Sequence, residues 1–134
     1  MRYYKKERFT RARIMLKFVV RQQADGVSGV KISRKGKFCV VCPGGDLSMI
    51  EDSSRLSEQL ATLFESGDRT ICIDLMESPV INSSVIGTLL RFHEKAVAEG
   101  GEFVVLNARN VALESMLRTR MNQVIRFVRS EEEL

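Results

Sequence analysis

From residue 30 onward the chain alternates between two hydrophobic periods, and that alternation confines it to one fold class. Val30-Lys31-Ile32-Ser33-Arg34 spaces its apolar residues two apart, and Lys37 to Cys42 continues as a second strand after a turn at Lys35-Gly36. Two such runs joined by a tight glycine turn predict a β-hairpin. Pro43-Gly44-Gly45 ends it, and a loop follows from Asp46 to Asp52. Ser53 to Ser66 then reads as a helix whose apolar face is Leu56, Leu60, Leu63 and Phe64, with Gly67 as its stop. Thr70-Ile71-Cys72-Ile73-Asp74-Leu75 is a buried-type strand rich in β-branched residues. After a loop through Ser78-Pro79-Val80-Ile81-Asn82, a second helix is predicted over Ser84 to Ala98. Its inner stripe is Val85, Ile86, Leu89, Leu90 and Val97, and Gly100-Gly101 closes it. Glu102 to Leu106 reads as a strand, Val111 to Arg120 as a third helix and Val124 to Val128 as a last strand, with Glu131-Glu132-Glu133 fraying beyond. The order ββαβαβαβ predicts an α/β domain. Its sheet would be mixed but mostly parallel, with about five strands, right-handed crossovers and one hairpin pair.

A different segment precedes this pattern. In Arg11-Ala12-Arg13-Ile14-Met15-Leu16-Lys17-Phe18-Val19-Val20-Arg21, positions 12, 14, 16, 18 and 20 are apolar while 11, 13, 17 and 21 are basic. A period of two predicts a strand with one wet, basic face. Gln22 to Gly29 carries Asp25-Gly26 and Ser28-Gly29 and reads as a linker. The expected division is a basic extension over 1–29 and one domain over 30–134. Residues 1–37 hold twelve of the 21 lysines and arginines against only Glu7 and Asp25. The remaining 97 residues hold nine against fifteen acids. A basic arm on an acidic body suits nucleic acid, an anionic membrane, an acidic partner, or the chain's own acidic body. Beyond Tyr3, Tyr4, Phe9 and Phe18 no aromatic interleaves the basic arm, which argues against stacking on bases. Direct contact with nucleic acid or membrane is not expected.

Several chemistries lack their residues. There is no phosphate-cradling glycine loop, no zinc-protease motif and no nucleophile elbow. His93 is the only histidine and falls on the polar side of the second helix, where it reads as a solvated surface residue. Cys39 and Cys42 form a lone C-x-x-C, but they sit on a strand an odd number of residues apart. They should therefore point to opposite faces and share neither a metal nor a bond. The sequence reads as a binding module rather than an enzyme, with no catalytic residue, cofactor or metal site. No run approaches eighteen uninterrupted apolar residues, and Ile14-Met15-Leu16 is broken by Lys17 with no cleavage-site pattern after it. The expected location is the cytoplasm.

The remaining candidate is the loop Ile81-Asn82-Ser83-Ser84-Val85, which leads from a buried strand straight into a helix. A serine there serves as an N-cap. The same place also suits a phosphate, because free backbone N–H groups and the helix dipole favour negative charge. With this loop the chain resembles the STAS domains, and within them the bacterial anti-anti-sigma factors. The resemblance covers about residues 30–134. It runs through Gly44-Gly45-Asp46, the strand Ile71 to Leu75, Asn82-Ser83-Ser84-Val85-Ile86-Gly87-Thr88-Leu89-Leu90, the turn and strand Glu99 to Leu106, and Ile125-Arg126-Phe127.

The resemblance implies a STAS fold and a partner switch. Ser83 corresponds to the family's phosphorylated hydroxyl residue, with Ser84 as the second choice. The implied partner-binding set is Gly44, Gly45, Asp46, Asn82, Ser83, Ser84, Val85, Ile86, Gly87 and Leu90. The implied partners are a serine kinase of the histidine-kinase-like ATPase fold, which doubles as the anti-sigma factor, and a serine phosphatase. Two residues depart from the family pattern: Asn82 replaces an Asp and Val85 replaces a Gly. The alternative is a constitutive STAS adaptor without a phosphorylation switch. It would dock other STAS proteins in a stressosome-like scaffold or the ATPase of a lipid-transport ABC complex.

Overall fold

The computed structural model describes residues 30–134. The strand expected over 11–21 and the linker after it lie outside the described residues. Strands β1 (Lys31–Lys35) and β2 (Phe38–Cys42) form the antiparallel hairpin, with Lys35 opposite Phe38. Gly36 opens the two-residue turn at φ +58°, a conformation glycine adopts without a Cβ penalty. Strands β3 (Thr70–Asp74), β4 (Glu102–Leu106) and β5 (Arg126–Val128) continue parallel to β2, in the spatial order β1-β2-β3-β4-β5. Helices α1 (Asp52–Glu65), α2 (Ser83–Ala98) and α3 (Asn110–Arg118) fill the parallel connections. This is the α/β, mostly parallel five-stranded fold that the periodicity predicts.

Side-chain parity along each strand divides the core in two. Cys39, Val41, Ile71, Ile73, Phe103 and Val105 face the helices and share one cluster with Leu60 and Phe64 of α1, Leu89 and Phe92 of α2, and Met116 of α3. Phe38, Val40, Cys72, Val104, Leu106 and Val128 face the other way and form a second cluster. Cys39 and Cys42 fall on opposite faces by the same parity, and all three cysteines are free.

Glycines end the first two helices by one geometry. At the end of α1, Gly67 N–H donates to the Phe64 carbonyl (3.0 Å) and Asp68 N–H to the Leu63 carbonyl (3.1 Å), with Gly67 at φ +99°. At the end of α2, Gly100 N–H donates to Val97 (3.1 Å) and Gly101 N–H to Ala96 (2.7 Å), with Gly100 at φ +83°. Both are Schellman terminations, which satisfy the last carbonyls and turn the chain into the next strand. The Arg69 guanidinium joins the two ends, donating to the Phe64 carbonyl (2.6 Å) and pairing with Glu99 (2.6 Å). Gly101 packs so closely on the Arg69 backbone that a Cβ would overlap its carbonyl.

Four sequence expectations change. The inner stripe of α2 is Val85, Leu89, Phe92 and Ala96, whereas Leu90 is half-buried and Val97 is 54% exposed. The buried set advances by four, three and four residues, and residue 97 lies about 100° further round the helix. His93 is half-buried rather than solvated, edge-on to Phe103 with ring centroids 6.5 Å apart. The last helix ends at Arg118, and Arg120 takes φ +59° before a 3₁₀ turn at Met121–Gln123, so β5 begins at Arg126 and not Val124. The acidic tail is not frayed: Ser130 and Glu133 form a reciprocal capping box, and the Glu133 carboxylate also accepts from Arg129 N–H (2.9 Å).

Two predictions follow from this packing. Gly101→Ala should lower unfolding free energy by roughly 1–3 kcal/mol through overpacking. Gly87→Ala, exposed within α2 with open space at its Cβ, should raise it by up to about 1 kcal/mol, both read by urea denaturation. Burial, reinforced by the charges of Asp74 and Glu131, lifts the Cys72 thiol from 9.0 to about 12. The folded state thus holds this proton more tightly than the unfolded chain. Its contribution is complete below pH 9 and is lost as pH rises toward 12, with a slope of about 1.4 kcal/mol per pH unit. In denaturation series from pH 8 to 11, Cys72→Ala should remove that share of the alkaline decline.

Candidate partner-docking surface

Three loops meet beyond the carboxyl ends of β2, β3 and β4, and backbone hydrogen bonds fasten them together. Leu47 and Ile81 form an isolated parallel bridge, with Leu47 N–H on the Val80 carbonyl (2.8 Å) and Asn82 N–H on the Leu47 carbonyl (2.9 Å). The buried Ser78 hydroxyl donates to the Pro43 carbonyl (2.8 Å). On the other side Ala112 N–H donates to Pro79 (2.8 Å), and Arg109 reaches the Met76 carbonyl (2.6 Å).

Asn82 is the centre of this edge. It has the extended backbone of an N-cap residue, and its Oδ1 accepts from Val85 N–H (2.8 Å). Its Nδ2 donates to the Met49 carbonyl (3.0 Å). Met49 N–H in turn donates to the Asp52 carboxylate (2.7 Å), which is buried at the start of α1. The Met49 backbone is therefore held from both sides while its side chain stands 63% exposed, next to Ile50 at 83%. An aspartate at position 82 would keep the cap but lose the donor to Met49.

The cap of α2 is thus Asn82, and the two serines begin the helix itself. Ser83 and Ser84 are both exposed in its first turn, which contains no acidic residue. Among the described residues the Ser83 hydroxyl has no hydrogen-bond partner, and the Ser84 carbonyl accepts from the Thr88 hydroxyl (3.1 Å). Gly45, Asp46 and Gly87 are exposed, and Gly44 is half-buried. Val85 and Ile86, expected among the partner-binding residues, are 0% and 5% exposed and pack into the core. Only the residues on the outer side of the helix can meet a partner directly. Leu90 is half-buried and packs against the same core.

Sequence reasoning missed the apolar part of this surface. Met49 and Ile50 come from the first loop, Met76 (50% exposed) from the second, and Val111 (49%) from the start of α3. The available signal was a Met-Ile pair standing outside any strand or helix period. A polar groove runs alongside, lined by Ser53, Ser57 and Glu58 of α1 and by Ser84, Thr88 and Arg91 of α2. Arg91 closes it by donating to the Ser57 hydroxyl (3.0 Å). Among the described residues no helix is long and apolar enough to cross a membrane, and no cluster of His, Cys, Asp or Glu could hold a metal ion.

A family model of the STAS domain matches residues 30–134, and the chain belongs to that family. No curated protein sequence matches it. Among solved structures it is similar to an anti-sigma factor antagonist from Mycobacterium paratuberculosis, with 19% identity and a TM-score of 0.68 over 78% of this chain and 87% of that one. The Bacillus cell-fate determinant SpoIIAA in its phosphorylated form aligns at 16% identity and TM-score 0.61, over 78% and 95% of the two chains. A sulfate transporter family protein from Wolinella succinogenes aligns at 14% identity and TM-score 0.59, over 69% and 77%. The fold is that of the anti-sigma factor antagonists.

Removing both functions of the Asn82 amide should cost about 1 kcal/mol in Asn82→Ala, the usual loss for an N-cap. Asn82→Asp should keep the helix but free the loop, raising amide hydrogen exchange at residues 47–51 and leaving α2 protected.

Proposed function

We propose that this STAS domain is an anti-sigma factor antagonist that switches partners through phosphorylation of Ser83. The observation that carries the reading is an exposed serine hydroxyl at the first turn of α2, beside the exposed apolar pair Met49 and Ile50. The unmodified edge offers a partner an apolar contact with a polar rim, the usual anatomy of an interaction surface. The partner class is the serine kinase of histidine-kinase-like ATPase fold that also serves as the anti-sigma factor. A serine phosphatase resets the modified form.

The physics of release follows from the placement of the hydroxyl. A phosphate adds about −1.5 to −2 charges. In the free domain the helix N-terminus, with no acid in its first turn, stabilises that charge. In the complex the same charge would have to be stripped of water against apolar side chains, which disfavours binding. The domain therefore accepts phosphate when alone and loses its partner when modified. Its role is binding, with the phosphoryl chemistry supplied by the kinase and the phosphatase.

A constitutive adaptor is the second reading, and Asn82 is the feature that favours it. Its amide is committed to holding the Met49 loop, an arrangement that works without any modification. Ser83→Asp separates the two readings. Under the switch it weakens the kinase complex at least about 100-fold, equivalent to about 2.7 kcal/mol, while circular dichroism is unchanged. Ser83→Ala should bind like wild type and resist release by ATP. Equal affinity of wild type and Ser83→Asp for one partner, measured by calorimetry, would establish the adaptor instead.

A further inference from the structure

The sheet face opposite the helices carries Phe38, Val40, Cys72, Val104, Leu106 and Val128, each 0–5% exposed. All three helices belong to the other cluster, and among the described residues only Leu134, itself half-buried, packs against this one. One leucine does not close a face about 19 Å across, the width of five strands at their usual spacing. The patch has charged margins: Glu102 bridges Lys37 (3.6 Å) and Arg126 (3.2 Å), and Asp74 and Glu131 lie close enough to act on the Cys72 thiol.

We propose that residues 9–20 of the same chain cover this face, making the basic extension a layer of the domain rather than a free arm. Three observations meet in this assignment. The first is composition: eight of the twelve residues from 9 to 20 are apolar, among them Phe9, Ile14, Leu16, Phe18 and Val20. A segment so apolar gains by leaving water, and the described domain offers it one broad apolar sheet face without a helix of its own.

The second is reach. Nine residues, 21–29, join the segment to Val30 at the start of edge strand β1. They span up to roughly 31 Å, enough to round the edge of the sheet. Twelve residues then cover roughly 18 Å as a helix or roughly 40 Å extended, so either form crosses the face. The third is charge. Residues 1–29 hold eight lysines and arginines against Glu7 and Asp25, whereas residues 30–134 hold thirteen against fifteen acids. Arg11, Arg13 and Lys17 thus face a body of opposite sign, with Asp74 and Glu131 at the margin of the patch.

Cys72 reports on the cover, since it lies at the centre of the face with 0% exposure. Cys39, on the helix side, reports on the fold. Half-buried Cys42 is the accessible but slowly labelled reference, its thiol pushed up to about 11 by burial and by the charges of Asp74 and Glu77. In the full chain, a maleimide should label Cys42 and spare both others. The triple variant Ile14→Asp/Leu16→Asp/Phe18→Asp should label Cys72 at least about tenfold faster, with Cys39 still protected, as expected for a local opening. Unchanged Cys72 protection in that variant, with its residues 9–20 open to trypsin, would overturn the assignment. Where the variant exposes Cys39 as well, limited trypsinolysis of the wild-type chain decides. Cleavage at Arg11, Arg13 and Lys17 much slower than at Arg2, Lys5 and Lys6 supports the cover, and equal rates overturn it. Sedimentation settles the source: a monomer supports the same chain, and a dimer that exposes Cys72 on dilution assigns the cover to a second copy.

Discussion

Burial of the central strands on both faces is the constraint from which the rest of the structure follows. In β4, Phe103 and Val105 point to the helices while Val104 and Leu106 point away, and all four are 0–2% exposed. Parallel strands with this pattern exist only where both faces are covered. The helix face is closed by α1, α2 and α3, whose apolar stripes interlock with the odd-numbered residues of β2 to β4. The need for a second cover makes the basic extension a component of the core under the arrangement proposed above. A segment that reads as an electrostatic arm by its charge has a different meaning once the apolar residues between the charges have a face to fill.

The same layered order puts the candidate docking surface where it is. Parallel connections return each chain segment to the same edge, so the loops after β2, β3 and β4 gather beyond the strand carboxyl ends. Side-chain amides and carboxylates then set their relative positions. Asn82 caps α2 and holds the Met49 carbonyl, Asp52 holds the Met49 N–H, and two large apolar side chains are left standing in water. Rigid backbone with exposed apolar tips costs little ordering on binding, which is how a small surface reaches useful affinity.

Much of this was legible in the sequence because it rests on local rules. Gly67 and Gly100-Gly101 mark helix ends, and the structure shows both as left-handed terminations. Strand parity separates Cys39 from Cys42. The errors arose where a local pattern has two solutions. Val97 and Phe92 are both apolar, and only the angle round the helix, set by which face the sheet contacts, selects Phe92. His93 reads as polar by type, yet its ring packs on Phe103. Ser130-x-x-Glu133 is a capping-box spacing that the run of three acids concealed. The exposure of Met49 and Ile50 was marked only by their standing outside any strand or helix period. It depends on the Asn82 amide, 33 residues away, donating to the Met49 carbonyl and on the Asp52 carboxylate accepting from Met49 N–H.

The two departures from the family loop have different weights. Val85 looks obstructive when placed on a docking helix, but its side chain is wholly inside the core, and the outer side of that turn is formed by Ser83, Ser84 and Gly87. A β-branched residue there fills the interior without intruding on a partner. Asn82 matters more. An aspartate at the cap would place a full negative charge within one residue of Ser83 and oppose a phosphate on the same helix end. The neutral amide gives an equivalent cap to Val85 N–H without that repulsion, so a phosphate of the kind proposed for Ser83 would meet no carboxylate at the cap. Under the proposed switch Asn82 thus removes one cost of a phosphate at Ser83, whereas under the adaptor reading the same amide only fixes the loop that carries Met49 and Ile50.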